Sequence, residues 1–428
     1  LAAQARRRWR IAWLLGIGVL VSYLDRVNLS ASHAALITAF AISDVAFGYL
    51  SGAYNLTYWL CQLPIGVILD RFGVRRVGRA GVLLWSVATF GGAAAPSLGA
   101  LFGARFLLGI GEAPTFPACA KAVGRWFPQH ERSLATALFD GAAKFSSVIG
   151  IPLVGFVLLR AGWRWGFATT GAISLLYCVY FWRVYRDPEE DAGLSDAERR
   201  YITGDGQETE QADEPQTSLW RLLGERKVIG LALGFGSYNY IFYLLLTWLP
   251  TYFAVALHID LMHSFLYTSV PWLIATLCEL AVGGWLVDLL IRRGADANRV
   301  RRIVLIGGAC CGLGILGAAS AHTAAQALMW ISLSIGGLSV HSAVGWSLPS
   351  LIAGRRDVGK VGGIVNFSNQ LSGVCAPIIT GYLLSALHAY TWVFGVAAIY
   401  LTIGICGYIF LLGRIERAGA PRLLGQAS

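Results

Sequence analysis

Apolar runs close to the length of a bilayer crossing recur along this chain from end to end, broken by short polar turns and one long polar stretch. A transmembrane helix needs ~20 mostly apolar residues. Repeating that length so often leaves few folds open, because in lipid every backbone N–H and C=O must be satisfied within the spanning structure. Composition agrees: of 428 residues, 56% are hydrophobic and 14% charged, against about 25% charged in soluble domains, and the mean hydropathy is +0.59. A soluble core could not hide this much apolar surface. We read an all-α, polytopic membrane protein.

Twelve transmembrane helices are predicted, near residues 10–34, 46–69, 79–96, 100–122, 134–159, 165–184, 228–252, 264–291, 303–320, 324–348, 358–386 and 390–412. They divide the chain into an N-terminal segment (1–9), a six-helix bundle (10–184), a polar linker (185–227), a second six-helix bundle (228–412) and a tail (413–428). The net charge of +10 would suggest nucleic acid in a soluble protein, but its distribution says otherwise. Arginines and lysines cluster before the first span and after the second, fourth, eighth and tenth, while the opposite loops offer Arg160 and Arg164. By the positive-inside rule this is a topology signal, with both termini cytoplasmic. The expected location is a bacterial cytoplasmic membrane, with lipid as the solvent, no nucleic-acid partner and a monomeric state.

No cleavable signal sequence is expected, because the first apolar run is too long and continues past Asp25 without a small-residue cleavage site. The eight cysteines all fall in spans without C-x-x-C spacing, so buried thiols are expected rather than a metal site or disulfide framework. In the linker, Ser195-Asp196-Ala197-Glu198 fits a capping box, predicting a short helix through Ile202.

The halves echo one another. Gly66-Val67-Ile68-Leu69-Asp70-Arg71-Phe72-Gly73-Val74-Arg75-Arg76 closes the second span, and Gly284 to Asp288, followed by Arg292-Arg293-Gly294, closes the eighth. Both read Gly-x-x-x-Asp with a basic cluster beyond. The glycine allows close helix approach, the aspartate can meet a helix end across the repeat interface, and the basic cluster holds the loop inside. A contact of that kind, formed in one conformation and broken in another, suits a gate, so Gly66, Asp70, Arg71, Arg75, Asp288 and Arg292 are gating candidates.

With the six-plus-six layout, this pattern resembles the major facilitator superfamily. Four further features are similar to its anion:cation symporter family, which includes bacterial sugar-acid transporters and the sialin and vesicular glutamate transporters. They are Tyr23-Leu24-Asp25-Arg26, the run from Arg105 through Gly111-Glu112-Ala113-Pro114 to Pro117, the linker start Arg186-Asp187-Pro188-Glu189, and Thr247-Trp248-Leu249-Pro250-Thr251-Tyr252. The resemblance implies a transporter rather than an enzyme, with two pseudo-symmetric bundles working by alternating access.

An ionised side chain at the bilayer centre costs ~2.5–3.5 kcal/mol even on the lenient insertion scale, so charges inside spans are functional candidates. The first half carries Asp25 and Arg26 in its first span, Arg105 and Glu112 in its fourth, and Asp140 and Lys144 in its fifth. Arg105 and Glu112 are about two turns apart and share a face, whereas Asp25 and Arg26 point about 100° apart. The economical arrangement has Asp25 and Glu112 sharing Arg105, leaving Arg26 free for something anionic; the alternative is a network that only locks helices together. A carboxylate that loses its arginine to an incoming anion gains affinity for a proton, so anion and proton would bind cooperatively. The resemblance implies Asp25 and Glu112 as proton carriers, with Arg26 and Arg105 contacting the substrate carboxylate or holding the acids. Protons are then the coupling ion, and no cofactor or metal is expected.

Lys144 has two readings, a local pair with Asp140 at i, i+4 or a second cationic contact favouring a dianion. Tyr58, by resemblance, and Tyr23 line the same cavity. Tyr238, Asn239, Trp346, Ser347, Asn366, Asn369 and Gln370 are hydroxyl-binding candidates, each of which could equally serve as helix–helix glue. Glu279, the lone acid inside the eighth span, and His341, the lone histidine inside the tenth, could tune coupling or read as satisfied packing or gating residues, and His33 gives a weaker signal still. Gly312-Leu313-Gly314-Ile315-Leu316-Gly317 matches a dinucleotide fingerprint but follows no strand, and no Walker loop or hydrolase motif appears. The expected function is proton-coupled symport of a small organic anion, a sugar acid or related carboxylate. An anion exchanger or uniporter of the same fold is the alternative, and a non-transporting receptor or enzyme the minor one.

Overall fold

Each apolar run winds into a helix in the computed structural model, which describes residues 6–128, 131–203, 218–353 and 357–415. The first span is Arg6–Ala31; a short helix, His33–Phe40, leads from it to the 50-residue helix Asp44–Ala93. That helix holds the second and third spans, because Gly73, at φ 76°, takes a left-handed conformation and turns the chain back. The fourth span is interrupted at Ala113-Pro114, between Leu98–Glu112 and Thr115–Trp126, where a proline cannot donate to the helix ladder. Arg132–Ala161 and Trp163–Val184 complete the first bundle, separated by Gly162 at φ 87°.

The second bundle repeats the plan. Its spans start at Arg226, Leu261, Ala297, Ala324, Val358 and Tyr390. Among the described residues, nine helices are individually long and apolar enough to cross a membrane, and the bent pair His33–Phe40 with Asp44–Gln62 makes ten. The other two crossings are the limb after Gly73 and the broken fourth span, which gives twelve in two bundles of six. Side chains on the preceding residue start many of these helices: Ser43, Ser97, Asp260, Asp296 and Thr323 each accept a backbone N–H from three residues on.

The solvent logic is inverted relative to a soluble protein. Trp13, Leu176 and Phe410 are 60%, 72% and 69% exposed, while Asp25, Arg105, Glu112 and Lys144 are buried. One expectation about the cysteines changes accordingly. Cys119 and Cys178 are enclosed, but Cys310, Cys311 and Cys406 face outward, since an apolar lipid face and an apolar core look the same in composition.

Contacts between the bundles gather at the end away from the basic loops. A Cβ on Gly48 would lie 2.6 Å from the Pro377 carbonyl, one on Gly381 2.5 Å from that of Asp44, and one on Gly155 2.1 Å from the Phe265 ring. Ser30 Oγ donates to the Thr247 carbonyl at 2.7 Å, and Trp248 packs edge-on against His33 and Phe47. Toward the basic end, a Cβ at Gly66, Gly362 or Gly363 would meet nothing within 4 Å among the described residues.

Linker acids lie against the basic loops of the first bundle. Asp187 and Glu189 pair with Arg125 at 3.1 and 2.6 Å, Glu190 with Arg75, and Asp191 with Arg7 at 2.7 Å. Partial burial raises the Asp187 carboxyl above its usual range, a shift that Arg125 opposes. The expected helix runs Asp196–Thr203, with Ser195 Oγ accepting the Glu198 N–H at 3.2 Å.

Candidate functional site

In the second half of the first span the helix places Asp25 and Arg26 toward different neighbours. Asp25 turns to the sixth span, where Ser174 Oγ donates to its Oδ2 at 2.8 Å. Arg26 turns to the second and fourth spans and meets Glu112, with Nη2 3.0 Å and Nε 3.1 Å from Oε2. Tyr54 donates its hydroxyl to the same oxygen at 2.7 Å. The Arg26 guanidinium also lies 4.1, 4.9 and 5.3 Å from the ring centres of Tyr23, Tyr54 and Tyr58, a cation–π cage. From the other bundle the Tyr243 hydroxyl accepts from Arg26 Nη1 at 3.4 Å.

The expected sharing of Arg105 is therefore corrected. Arg26, not Arg105, holds Glu112, and Arg26 is not free. Arg105 lies within electrostatic reach of both acids, yet its Nη1 donates to the Asp25 backbone carbonyl at 3.4 Å, and its guanidinium sits 5.1 Å from the Tyr54 ring centre. The reason is azimuth: the 100° step that separates Asp25 from Arg26 aims Arg26 at span four and Asp25 at span six. Asp25 Oδ1, Glu112 Oε1 and Arg105 Nε are buried with no hydrogen-bond partner, so the cluster retains unused polar capacity.

A second charged cluster bridges the bundles. Lys144 reaches Glu279 of the eighth span at 2.7 Å and Asp140 of its own helix at 3.5 Å. The local pair expected for Lys144 thus exists, but the shorter contact is to Glu279. Tyr23 and Tyr238 lie within electrostatic reach of Lys144 and Asp140.

The neutral candidates spread over the second bundle. Asn239 donates to the Asn369 carbonyl at 2.6 Å, while Asn369 Oδ1 and Gln370 Oε1 are buried without partners. Asn366 reaches Gln62 across the bundle interface at 3.4 Å. Trp346 packs on Phe235, which packs on Tyr238. Ser347 Oγ donates to the Val344 carbonyl at 2.6 Å. His341 is buried between the Leu305 carbonyl and the Tyr408 hydroxyl, a packing arrangement.

Among the described residues, no contact joins the gating candidates across the bundles. Arg71 stacks on Phe72, Arg75 pairs with Glu190, Gly66 has open space beside it, and Asp288 and Arg292 are exposed. The Asp70 side chain lies outside the described residues, as do Arg355 and Arg356. Sequence reading missed Tyr54, Tyr243 and Ser174, neutral residues that carry no signal in an aromatic-rich span. Glu279 did carry one, as the lone acid within its span.

Comparison with known proteins fits this architecture. The family description Major Facilitator Superfamily matches residues 15–375. Among similar proteins, the uncharacterized transporter YybO of Bacillus subtilis is 40% identical, over 96% of this chain and 95% of its own. A D-galactonate transporter of Escherichia coli is 32% identical, with 98% of both covered, and the probable galactarate/D-glucarate transporter GudP of Escherichia coli is 27% identical, with 99% and 97% covered. A bacterial homologue of the lysosomal transporter Spinster, solved inward-facing and unoccupied, superposes with a TM-score of 0.74 at 17% identity over 95% and 97% of the two chains. A D-xylose-proton symporter gives 0.75 at 16% over 95% and 98%, and both share the fold. Twelve membrane-spanning helices in two bundles, charges enclosed between them, and full-length relatives that are sugar-acid transporters identify this chain as a transporter belonging to the major facilitator superfamily.

Proposed function

We propose that the protein carries a small organic anion, a sugar acid or related carboxylate, in symport with protons across a bacterial cytoplasmic membrane, with the basic loops and both termini on the cytoplasmic side. The observation that carries this reading is the buried Arg26–Glu112 pair inside its cage of tyrosines. A substrate carboxylate has the shape and charge of Glu112's own and can take its place against Nε and Nη2 of Arg26. Glu112 is then an ionised acid in the membrane interior without its principal cation, a state that costs several kcal/mol. A proton from the cavity removes that cost, so anion and proton load together, each favouring the other.

Asp25 is the second carrier, held by Ser174 rather than by a guanidinium, and Arg105 sets the positive potential between the two acids. Unpartnered Asn369 and Gln370 oxygens suit the hydroxyls of a polyol chain. With both acids neutral and the anion on Arg26, the central charges are compensated and the bundles can rock from one open end to the other. The sugar-acid relatives support this substrate class.

The test is uptake into proteoliposomes under an imposed pH gradient, with D-galactonate and galactarate as probes. Wild-type protein should accumulate substrate against its gradient. Asp25→Asn and Glu112→Gln should abolish accumulation while retaining exchange of labelled for unlabelled substrate. Wild-type accumulation that needs counter-substrate instead of a pH gradient would establish an exchanger.

A further inference from the structure

The cluster of Asp140, Lys144 and Glu279 has a different charge balance from the one around Arg26. There, two arginines face two carboxylates: Arg26 and Arg105, Asp25 and Glu112. Here one ammonium faces two carboxylates, at 2.7 and 3.5 Å. Lys144 and Glu279 are buried, and Asp140 is partly open, its side chain 22% exposed. Like charges that share a buried site do not both ionise when only one counter-charge is present.

Among the described residues the surroundings supply no second cation within the cluster. Span one contributes the phenol of Tyr23 and span seven that of Tyr238, both within electrostatic reach. Span ten packs on span eight at Gly283, but its titratable His341 is turned to Leu305 and Tyr408. Span eight itself adds Cys278, next to Gly336. Phenols and a thiol are neutral at physiological pH, so the charge on this cluster is set by its own three members.

The cluster is also joined to the first. The Tyr23 ring that covers Arg26 at 4.1 Å is the phenol within reach of Lys144. A substrate held on Arg26 thus lies beside a tyrosine whose other neighbour is the Lys144 ammonium.

We propose that Asp140, Lys144 and Glu279 form a second proton-binding site, which holds one proton in the substrate-free protein and takes up another when a substrate carboxylate draws Lys144 away from Glu279. The inference rests on the reading that the cargo is a carboxylate. The proton enters at Asp140, the partly exposed member, the ammonium stays charged and neutralises the arriving anion, and both cluster acids end neutral. Because Glu279 belongs to one bundle and Lys144 to the other, the exchange also releases an ion pair that ties the bundles together. A dicarboxylate engaging Arg26 and Lys144 at once would then travel with one more proton than a monocarboxylate engaging Arg26 alone.

Infrared spectra of the purified, substrate-free protein at neutral pH test the resting state through the carbonyl stretch of protonated carboxyl groups. Glu279→Gln leaves one lysine facing one aspartate and should lose one such band. Lys144→Gln imitates withdrawal of the ammonium and should gain one, and the double variant should return to the wild-type count. Unchanged bands in Glu279→Gln and Lys144→Gln would overturn the proposal. Should Lys144→Gln fail to fold, Glu279→Gln decides, since it retains a balanced Lys144–Asp140 pair.

The pH gradient that nulls net galactarate flux in proteoliposomes reads the proton ratio, which the double variant Asp140→Asn/Glu279→Gln, with no cluster acid left to take up a proton, should lower by one proton per galactarate. An unchanged ratio in a wild-type protein that is proton-driven counts against this site alone. A wild-type protein indifferent to the pH gradient counts against symport, and the infrared comparison still decides whether the cluster binds a proton.

Discussion

Arg26 is tolerated inside the membrane because its neighbours offset the ~2.5–3.5 kcal/mol that an arginine costs there. Glu112 supplies the counter-charge, and the tyrosine faces add cation–π attraction of about 0.5–2 kcal/mol each. Tyr54 has two roles, its ring lying under Arg26 and Arg105 and its hydroxyl reaching Glu112 at 2.7 Å. Tyr54→Phe keeps the ring and removes a hydrogen bond to a charged group, worth about 1.5–3 kcal/mol. That bond favours ionised Glu112, the substrate-free form, so its loss is expected to tighten apparent substrate binding about tenfold and to lower the thermal midpoint without ligand. Tyr243→Phe removes a longer contact at 3.4 Å and should change binding less than about threefold, within the range of a single net hydrogen bond. Titration of D-galactonate binding to the purified variants would check both.

Helices hold these groups in register by approaching where side chains are absent. The second and fourth spans meet at Gly109, where a Cβ would fall 2.1 Å from Thr57 Oγ1 and 2.4 Å from the Tyr54 carbonyl. A backbone carbonyl cannot step aside, so Gly109→Ala must part the helices that carry Tyr54 and Glu112. Overpacking of this kind costs about 1–3 kcal/mol. The expected result is a lower unfolding midpoint together with impaired proton-driven uptake. Gly103 lies on the same helix with nothing within 4 Å, and Gly103→Ala should leave both measurements near wild type.

The molecule as a whole is closed at the end away from the basic loops. Tyr49 and Tyr382 mark the closed end, their hydroxyls 3.0 Å apart on opposite bundles. If transport requires this end to open, a short cross-linker joining Tyr49→Cys to Tyr382→Cys should arrest uptake, and cleaving the linker should restore it. Unimpaired uptake in the cross-linked protein would mean that this end stays shut during transport. Gly48→Leu works in the opposite sense. Its side chain would collide with the Pro377 carbonyl, so the end cannot close, and substrate should bind without being transported.

Hydropathy along the chain sufficed for the membrane-spanning class, the twelve crossings and the two sets of six, because each depends on local composition and length. It also exposed Asp25, Arg26, Arg105, Glu112 and Lys144, since a charge within an apolar run is visible without knowing its partner. Sequence spacing further showed that Asp25 and Arg26 diverge, because the 100° step belongs to every α-helix. What spacing cannot supply is the rotation of one whole helix against another. Only the packed structure decided that Glu112 belongs to Arg26 rather than Arg105, that Lys144 reaches across to Glu279, and that Tyr54 and Tyr243 complete the cage. The same holds for Cys310, Cys311 and Cys406, which face outward. Cys310 and Cys311 lie in the ninth span and Cys406 in the twelfth, both apolar around these positions, and which side meets lipid is settled when neighbouring helices choose the other.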